Sequence, residues 1–218
     1  MKLTEYLNLK QITTLAIAII ILTMIIGFKN IISLNYEEIL TAFLFALIII
    51  TVSVYSKKVM ANLLDADVKH EIWNIRKYPT QNKFKKAIPV GIIIPILLTL
   101  ITNGIFKFMA ILTYETQALK RRAAKRFGFY SFTEMTEFHN AVIGASGITA
   151  MFILSIIAYL IPIAGLESLA RLAAYYAFFN MLPISKLDGA QIFFGSRILY
   201  FALAIITLIF TAYALLLI

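Results

Sequence analysis

The chain has 218 residues, of which 61% are hydrophobic and only 14% charged, whereas an ordinary soluble domain carries about 25% charged residues. It contains no cysteine, which excludes disulfides and thiolate metal sites. The formal net charge of +9 does not point to nucleic acid, because the basic residues cluster beside apolar runs, where the positive-inside bias and anionic headgroups account for them.

The apolar runs set the organisation. Gln11 to Phe28 is uncharged and predicts a first membrane helix, since a crossing needs roughly 20 apolar residues. No small-residue cleavage pattern follows it, so it reads as a retained helix. Ile39 to Ser56 predicts the second. Ala87 to Phe106 is apolar but punctuated by Pro89, Gly91, Pro95, Asn103 and Gly104. Asn140 to Leu166 is a fourth run, closed by Pro162 and Gly165. Leu172 to Ser185 is shorter and lies between Arg171 and Lys186. Ile198 to Ile218 is the last. No repeat or low-complexity linker interrupts them. The expectation is an all-α, polytopic helical protein forming a single membrane domain over 1–218. It divides into an N-terminal helix over 1–38, a core over 39–195 and a C-terminal helix over 196–218. Its first partner is the lipid bilayer, and the expected location is the cell membrane. The abundance of lysine and isoleucine suits an AT-rich prokaryotic genome.

Basic residues in the connections give an orientation. Lys2 and Lys10 precede the first run, and only Lys29 follows it, beside Glu37 and Glu38. Between the second and third runs lie Lys57, Lys58, Lys69, Arg76, Lys77, Lys83, Lys85 and Lys86. The N-terminus and this cluster are therefore expected on the cytoplasmic side. After the third run come Lys120, Arg121, Arg122, Lys125 and Arg126. If the third run crosses, these five lie outside; if it dips in and returns, both basic clusters stay inside. The charge bias favours re-entry, which the membrane tolerates where protein buries the broken backbone.

The stretch from Phe179 to Gly189 reads Phe-Asn-Met-Leu-Pro-Ile-Ser-Lys-Leu-Asp-Gly. An acidic residue at the end of a membrane run needs a reason, because burying a carboxylate is costly. Asn180, Pro183, Leu187, Asp188 and Gly189 resemble the Asn-x-x-Pro-x-x-x-Leu-Asp-Gly segment of the site-2 protease family of intramembrane zinc metalloproteases. The resemblance implies a three-helix core. It puts Asp188 at a zinc-ligand position and Asn180 at that of an asparagine that helps place the substrate strand. A weaker resemblance, to the family's Ala-Gly-Pro-x-x-Asn segment, sets Ala145, Ser146 and Thr149 at the Gly, Pro and Asn.

The family's His-Glu-x-x-His motif, often followed by Lys-x-x-Ala, aligns with the end of the second run. Lys58 and Ala61 fall on the Lys and Ala, and Trp73 falls on a tryptophan found in some microbial members. In that register Ser53 stands for the first His, Val54 for the catalytic Glu and Lys57 for the second His. A hydroxyl is a poor zinc ligand, valine cannot accept a proton, and an ammonium repels a cation. Asp188 alone remains of three ligands, and a catalytic zinc normally needs three. No catalytic residue is intact, and no metal or cofactor is expected. Lys57 is expected to become the counter-charge of Asp188, the alternative being a Lys57 that reaches the cytoplasm and a solvated Asp188. His70-Glu71 reads as a solvated loop dipeptide and His139 as an interfacial residue. The function that follows is a proteolytically inactive site-2-protease-like protein that binds or regulates membrane segments of other proteins. The alternatives are an active zinc endopeptidase with rebuilt ligands and a small transporter or structural membrane protein.

Overall fold

A computed structural model describes residues 9–75, 88–119, 135–163 and 165–216. Among them are eight helices: α1 (Leu9–Ile26), α2 (Phe28–Ile32), α3 (Tyr36–Leu63), α4 (Val90–Ile101), α5 (Glu137–Leu160), α6 (Leu166–Met181), α7 (Asp188–Gly195) and α8 (Arg197–Leu216). Two strands, β1 (Ala66–Ile72) and β2 (Leu112–Ala118), form a two-stranded sheet. Helices α1, α3, α5 and α8 are each long and apolar enough to cross a bilayer. The chain is a multi-pass, mostly helical membrane protein. Of the basic residues in the orientation argument, Lys10, Lys29, Lys57, Lys58 and Lys69 are described, and those at 2, 76, 77, 83, 85, 86, 120, 121, 122, 125 and 126 lie outside the described residues.

The sheet departs from the all-helical expectation. Its strands lie in the polar connections flanking the third run, where the mixed composition of Ala66–Ile72 and Leu112–Ala118 gives no apolar run to notice. The Trp73 N–H donates to Ile111 O (2.9 Å) and the Leu119 N–H to Asp65 O (3.0 Å), so the strands run antiparallel without a bulge. His70 is 4% exposed within β1 and is not a solvated loop residue. The reason is the sheet: alternation along β1 turns Val68 and His70 into the protein while Lys69 faces out. Helix α3 also runs past the expected end of the second run to Leu63, so Lys57 and Lys58 belong to the helix rather than to the connection.

The chain groups into two compact units, 1–47 with 70–113 and 48–69 with 114–218. In the first, α4 is only 12 residues long, about 18 Å of helix, well short of the roughly 30 Å hydrocarbon core. Its entry and exit meet at one residue. The Gly91 N–H donates to Trp73 O (2.8 Å), and the Trp73 N–H donates to Ile111 O (2.9 Å). From Gly91 beside Trp73 the chain runs through α4, turns at Asn103 and Gly104, both at positive φ, and returns to Trp73 as non-helical backbone. The returning residues Phe108, Met109, Ala110 and Ile111 are all buried. At the turn, Gly104 packs against Phe28. In the second unit α5 packs on α6 and α7, and α8 packs on α6 and α7. Ala61, Ala66, Val68, Tyr114 and Ile143 form a core cluster there.

A Cβ on Gly91 would collide with Ile111 O and with Trp73. Gly91→Ala is therefore expected to destabilise the protein by about 1–3 kcal/mol, the usual range for overpacking. Trp73 is the only tryptophan and is 2% exposed. Its fluorescence reports directly: a blue-shifted emission in the wild type that moves to the red in Gly91→Ala, alongside a lower thermal midpoint in detergent.

Candidate functional site

The site is built within the second unit from α3, β2, α5, α6 and the start of α7. Ser53 and Lys57 are one turn apart on α3 and face the same side; both are 2% exposed. Helix α6 ends at Met181 with Leu182 as its extended cap. Pro183 has no N–H to continue a helix, and the chain turns through Ser185 at φ 54 before α7 begins at Asp188. Gly189 is pressed against the carbonyl of Met181, where any Cβ would collide. This contact tucks the first turn of α7 under the end of α6 and buries Asp188 to 1% exposure. Asp188 is thus neither a turn residue nor solvated.

Lys57 Nζ lies 2.5 Å from Asp188 Oδ2. The same ammonium sits 5.0 Å from the centroid of the Tyr114 ring, within cation–π range. The lysine stem passes directly over Gly147 on α5, where a Cβ would collide with Lys57 Cε. Gly144, one turn earlier, gives room to the Tyr114 hydroxyl. That hydroxyl donates to Asn140 O at 2.7 Å. Burial and then the Asp188 charge push the Tyr114 phenol well above its ordinary value, so it stays a neutral donor. Tyr176 and Asn180 complete the walls. The Asn180 amide donates to Tyr176 O at 2.8 Å, and Ser53 and Asn180 flank the Tyr176 hydroxyl. Asp188 Oδ1 and Asn180 Oδ1 are buried with no hydrogen-bond donor among the described residues.

Of the residues singled out in the sequence, the fold brings together Ser53, Lys57, Asn180 and Asp188, with Leu187 and Gly189 packed behind them. Val54 is buried on the same turn of α3. Pro183 is exposed and acts on chain direction only. Ala145 is buried on α5, and the Ser146 hydroxyl reaches Ser56 O at 3.4 Å as well as its own helix. Thr149 is exposed and bonds back to Ala145 O (2.5 Å) within its own helix. Ala61 belongs to the core cluster, and Trp73 lies in the other unit. Tyr114, Tyr176, Gly144 and Gly147 were not anticipated. The two glycines, one turn apart on a membrane helix, were the available signal, because small residues there let a neighbouring element approach closely.

Beside this cluster runs a groove lined by Tyr114, Glu115, Thr116, Asn140, Lys186 and Gln191, among others. In the register set by Ile111 and Leu119, odd-numbered residues of β2 turn their backbone groups to β1. Tyr114, Thr116 and Ala118 turn theirs to the outer edge, which Tyr114 and Thr116 present to the groove. The Thr116 hydroxyl is tied to the Asn140 side chain.

No family model, curated protein or solved structure matches this chain.

Removing one partner of a buried ion pair strands the other, at about 3–5 kcal/mol, whereas replacing both by apolar residues is often neutral. Lys57→Met and Asp188→Leu are each expected to lower unfolding stability by that amount, and the double variant to recover most of it. Denaturation of the four proteins in one detergent measures the coupling. Gly147→Ala is expected to cost about 1–3 kcal/mol through overpacking. Most of that cost should vanish in a Lys57→Ala background, because the shorter chain vacates the space the new methyl needs; a loss equal in both backgrounds would count against the contact.

Proposed function

We propose that this chain is a site-2-protease-like membrane protein that has lost its metal and holds extended membrane segments of other proteins instead of cutting them. The observation that carries the reading is the Lys57–Asp188 pair, buried on both sides at 2.5 Å. The family resemblance puts a metal ligand at each of these positions. The residues present do not fit zinc. The ammonium brings a positive charge against the only carboxylate, Ser53 adds a hydroxyl, and Val54 adds nothing that can take a proton from water. A catalytic zinc site uses three protein ligands and leaves one position open, a set that these side chains do not supply.

Two further features support the reading. The 90–111 excursion, leaving and returning at Trp73, suits a re-entrant segment, which keeps Lys57 and Asp188 on one side of the bilayer together with a cytoplasmic N-terminus. The outward edge of β2, beside the pair, presents backbone groups in the arrangement by which a sheet accepts an added strand. A fold that keeps the strand-holding parts and replaces the metal by a fixed charge suits shielding or retention of a partner's membrane segment in the cell membrane.

Metal content separates this from an active enzyme. Purified wild-type protein, supplied with zinc and freed of excess, is expected to hold less than about a tenth of the one equivalent that a three-ligand site takes up. The variant Ser53→His/Val54→Glu/Lys57→His restores the spacing in which two histidines one turn apart face one cation with Asp188, and should hold close to one equivalent. A full equivalent in the wild type, lost in Asp188→Ala, would sink the proposal; so would a restored variant that folds and binds none.

A further inference from the structure

An open sheet edge is an invitation to any strand, and proteins guard such edges. Among the described residues, the side chain that caps a backbone carbonyl of this edge is Gln191. Gln191, in α7, donates from Nε2 to Tyr114 O at 3.0 Å and to Lys186 O at 3.2 Å. Both amide hydrogens are used, so the side chain is fixed in orientation. The connection that supplies Lys186 O is itself held to β2, because Lys186 Nζ pairs with Glu115 Oε1 at 2.8 Å. The carbonyl that Gln191 occupies belongs to Tyr114, the β2 residue whose ring lies against the Lys57 ammonium. Beyond it along β2, Thr116 lines the groove, and the register turns the backbone groups of Ala118 to the same outer edge.

We infer that Gln191 is the residue that sets the register of a captured strand, by capping Tyr114 O and stopping the incoming chain at Thr116. The inference rests on the strand-holding reading above and adds what that reading leaves open, namely where the strand ends. A strand can slide only by steps of two if its side chains are to keep their faces. With Tyr114 O capped, the slide that would bring the strand one step closer to Asp188 has no acceptor to reach. Gln191 is a positioning residue, acting through the backbone it covers.

The test uses the full chain in detergent. The protein has no cysteine, so Ala118→Cys gives a single thiol at the far end of the open edge. The probes are synthetic ten-residue peptides of alternating valine and threonine, each with one cysteine at a successive position. Disulfide formation under mild oxidation reports which peptide position lies opposite residue 118. In the otherwise wild-type protein one peptide position should dominate. Gln191→Met keeps the volume and removes the donor; it should add a second cross-linked position two residues away. It should also tighten peptide binding about three- to tenfold, the worth of one freed hydrogen bond. Gln191→Ala is the second variant should methionine disturb folding, which Trp73 fluorescence monitors. Unchanged register and affinity in both variants would overturn the role of Gln191 while leaving strand capture standing. Absence of binding and cross-linking in all proteins, wild type included, would overturn both.

Discussion

A lysine ammonium and an aspartate carboxylate, both removed from water, hold each other in the middle of the second unit. Neither charge is tolerable alone at that depth, since the effective penalty for burying an ion in a protein is several kcal/mol. The surrounding structure is arranged so that each always finds the other. Gly147 is bare so that the lysine stem can pass α5, and Gly189 is bare so that α7 can tuck under α6 and carry Asp188 inward. Tyr114 closes the pair from above with the face of its ring. The pair is weak evidence for stability in itself. What it fixes is a distance: the end of α3 and the start of α7 must stay close enough for Lys57 Nζ and Asp188 Oδ2 to meet.

The electrostatics around the pair are asymmetric. Lys57 sees Asp188 Oδ2 and the Tyr114 ring, while Asp188 Oδ1 and Asn180 Oδ1 have no donor among the described residues. Buried acceptors in folded proteins are nearly always satisfied, by protein or by ordered water. The cluster is thus oversupplied with acceptors on the side toward α6. A donor such as water or a backbone N–H is the chemical group that would be welcome there, and a second cation, next to the lysine, would not.

The apolar runs were legible because a bilayer demands long uninterrupted hydrophobic segments, and four of the six runs became helices of spanning length. The pairing of Lys57 with Asp188 was legible too. A five-residue motif placed the aspartate, and a register anchored on Lys58 and Ala61 placed the lysine. The sheet was harder to see: Ala66, Val68 and Ile72 alternate with Asp67, Lys69 and Glu71, and Leu112, Tyr114 and Ala118 with Thr113, Glu115 and Gln117, but such short alternation in charged connections is overshadowed by the long apolar runs beside it. His70 was misplaced with it, since a residue in an unrecognised strand looks like a residue in a loop. Tyr114 was missed for the same reason, and with it the upper wall of the site. Gly144 and Gly147 stood in a segment that already carried a resemblance, but composition alone does not say which neighbour a small residue makes room for. The re-entrant expectation rested largely on charges that lie outside the described residues, and the backbone bonds at Trp73 show only that the two ends of the 90–111 segment lie together.

A metal ion and a lysine ammonium can supply the same positive charge to a carboxylate, but they differ in how the charge arrives. An ion must be acquired from the surroundings, competes with other ions for its ligands, and leaves when a stronger chelator or a scarce supply demands it. The ammonium of Lys57 is synthesised with the chain and stays on a tether of four methylenes. Its presence cannot depend on zinc status, on loading machinery or on the order of assembly. The charge that meets Asp188 is therefore in place as soon as α3 and α7 have packed, whatever the surrounding supply of metal.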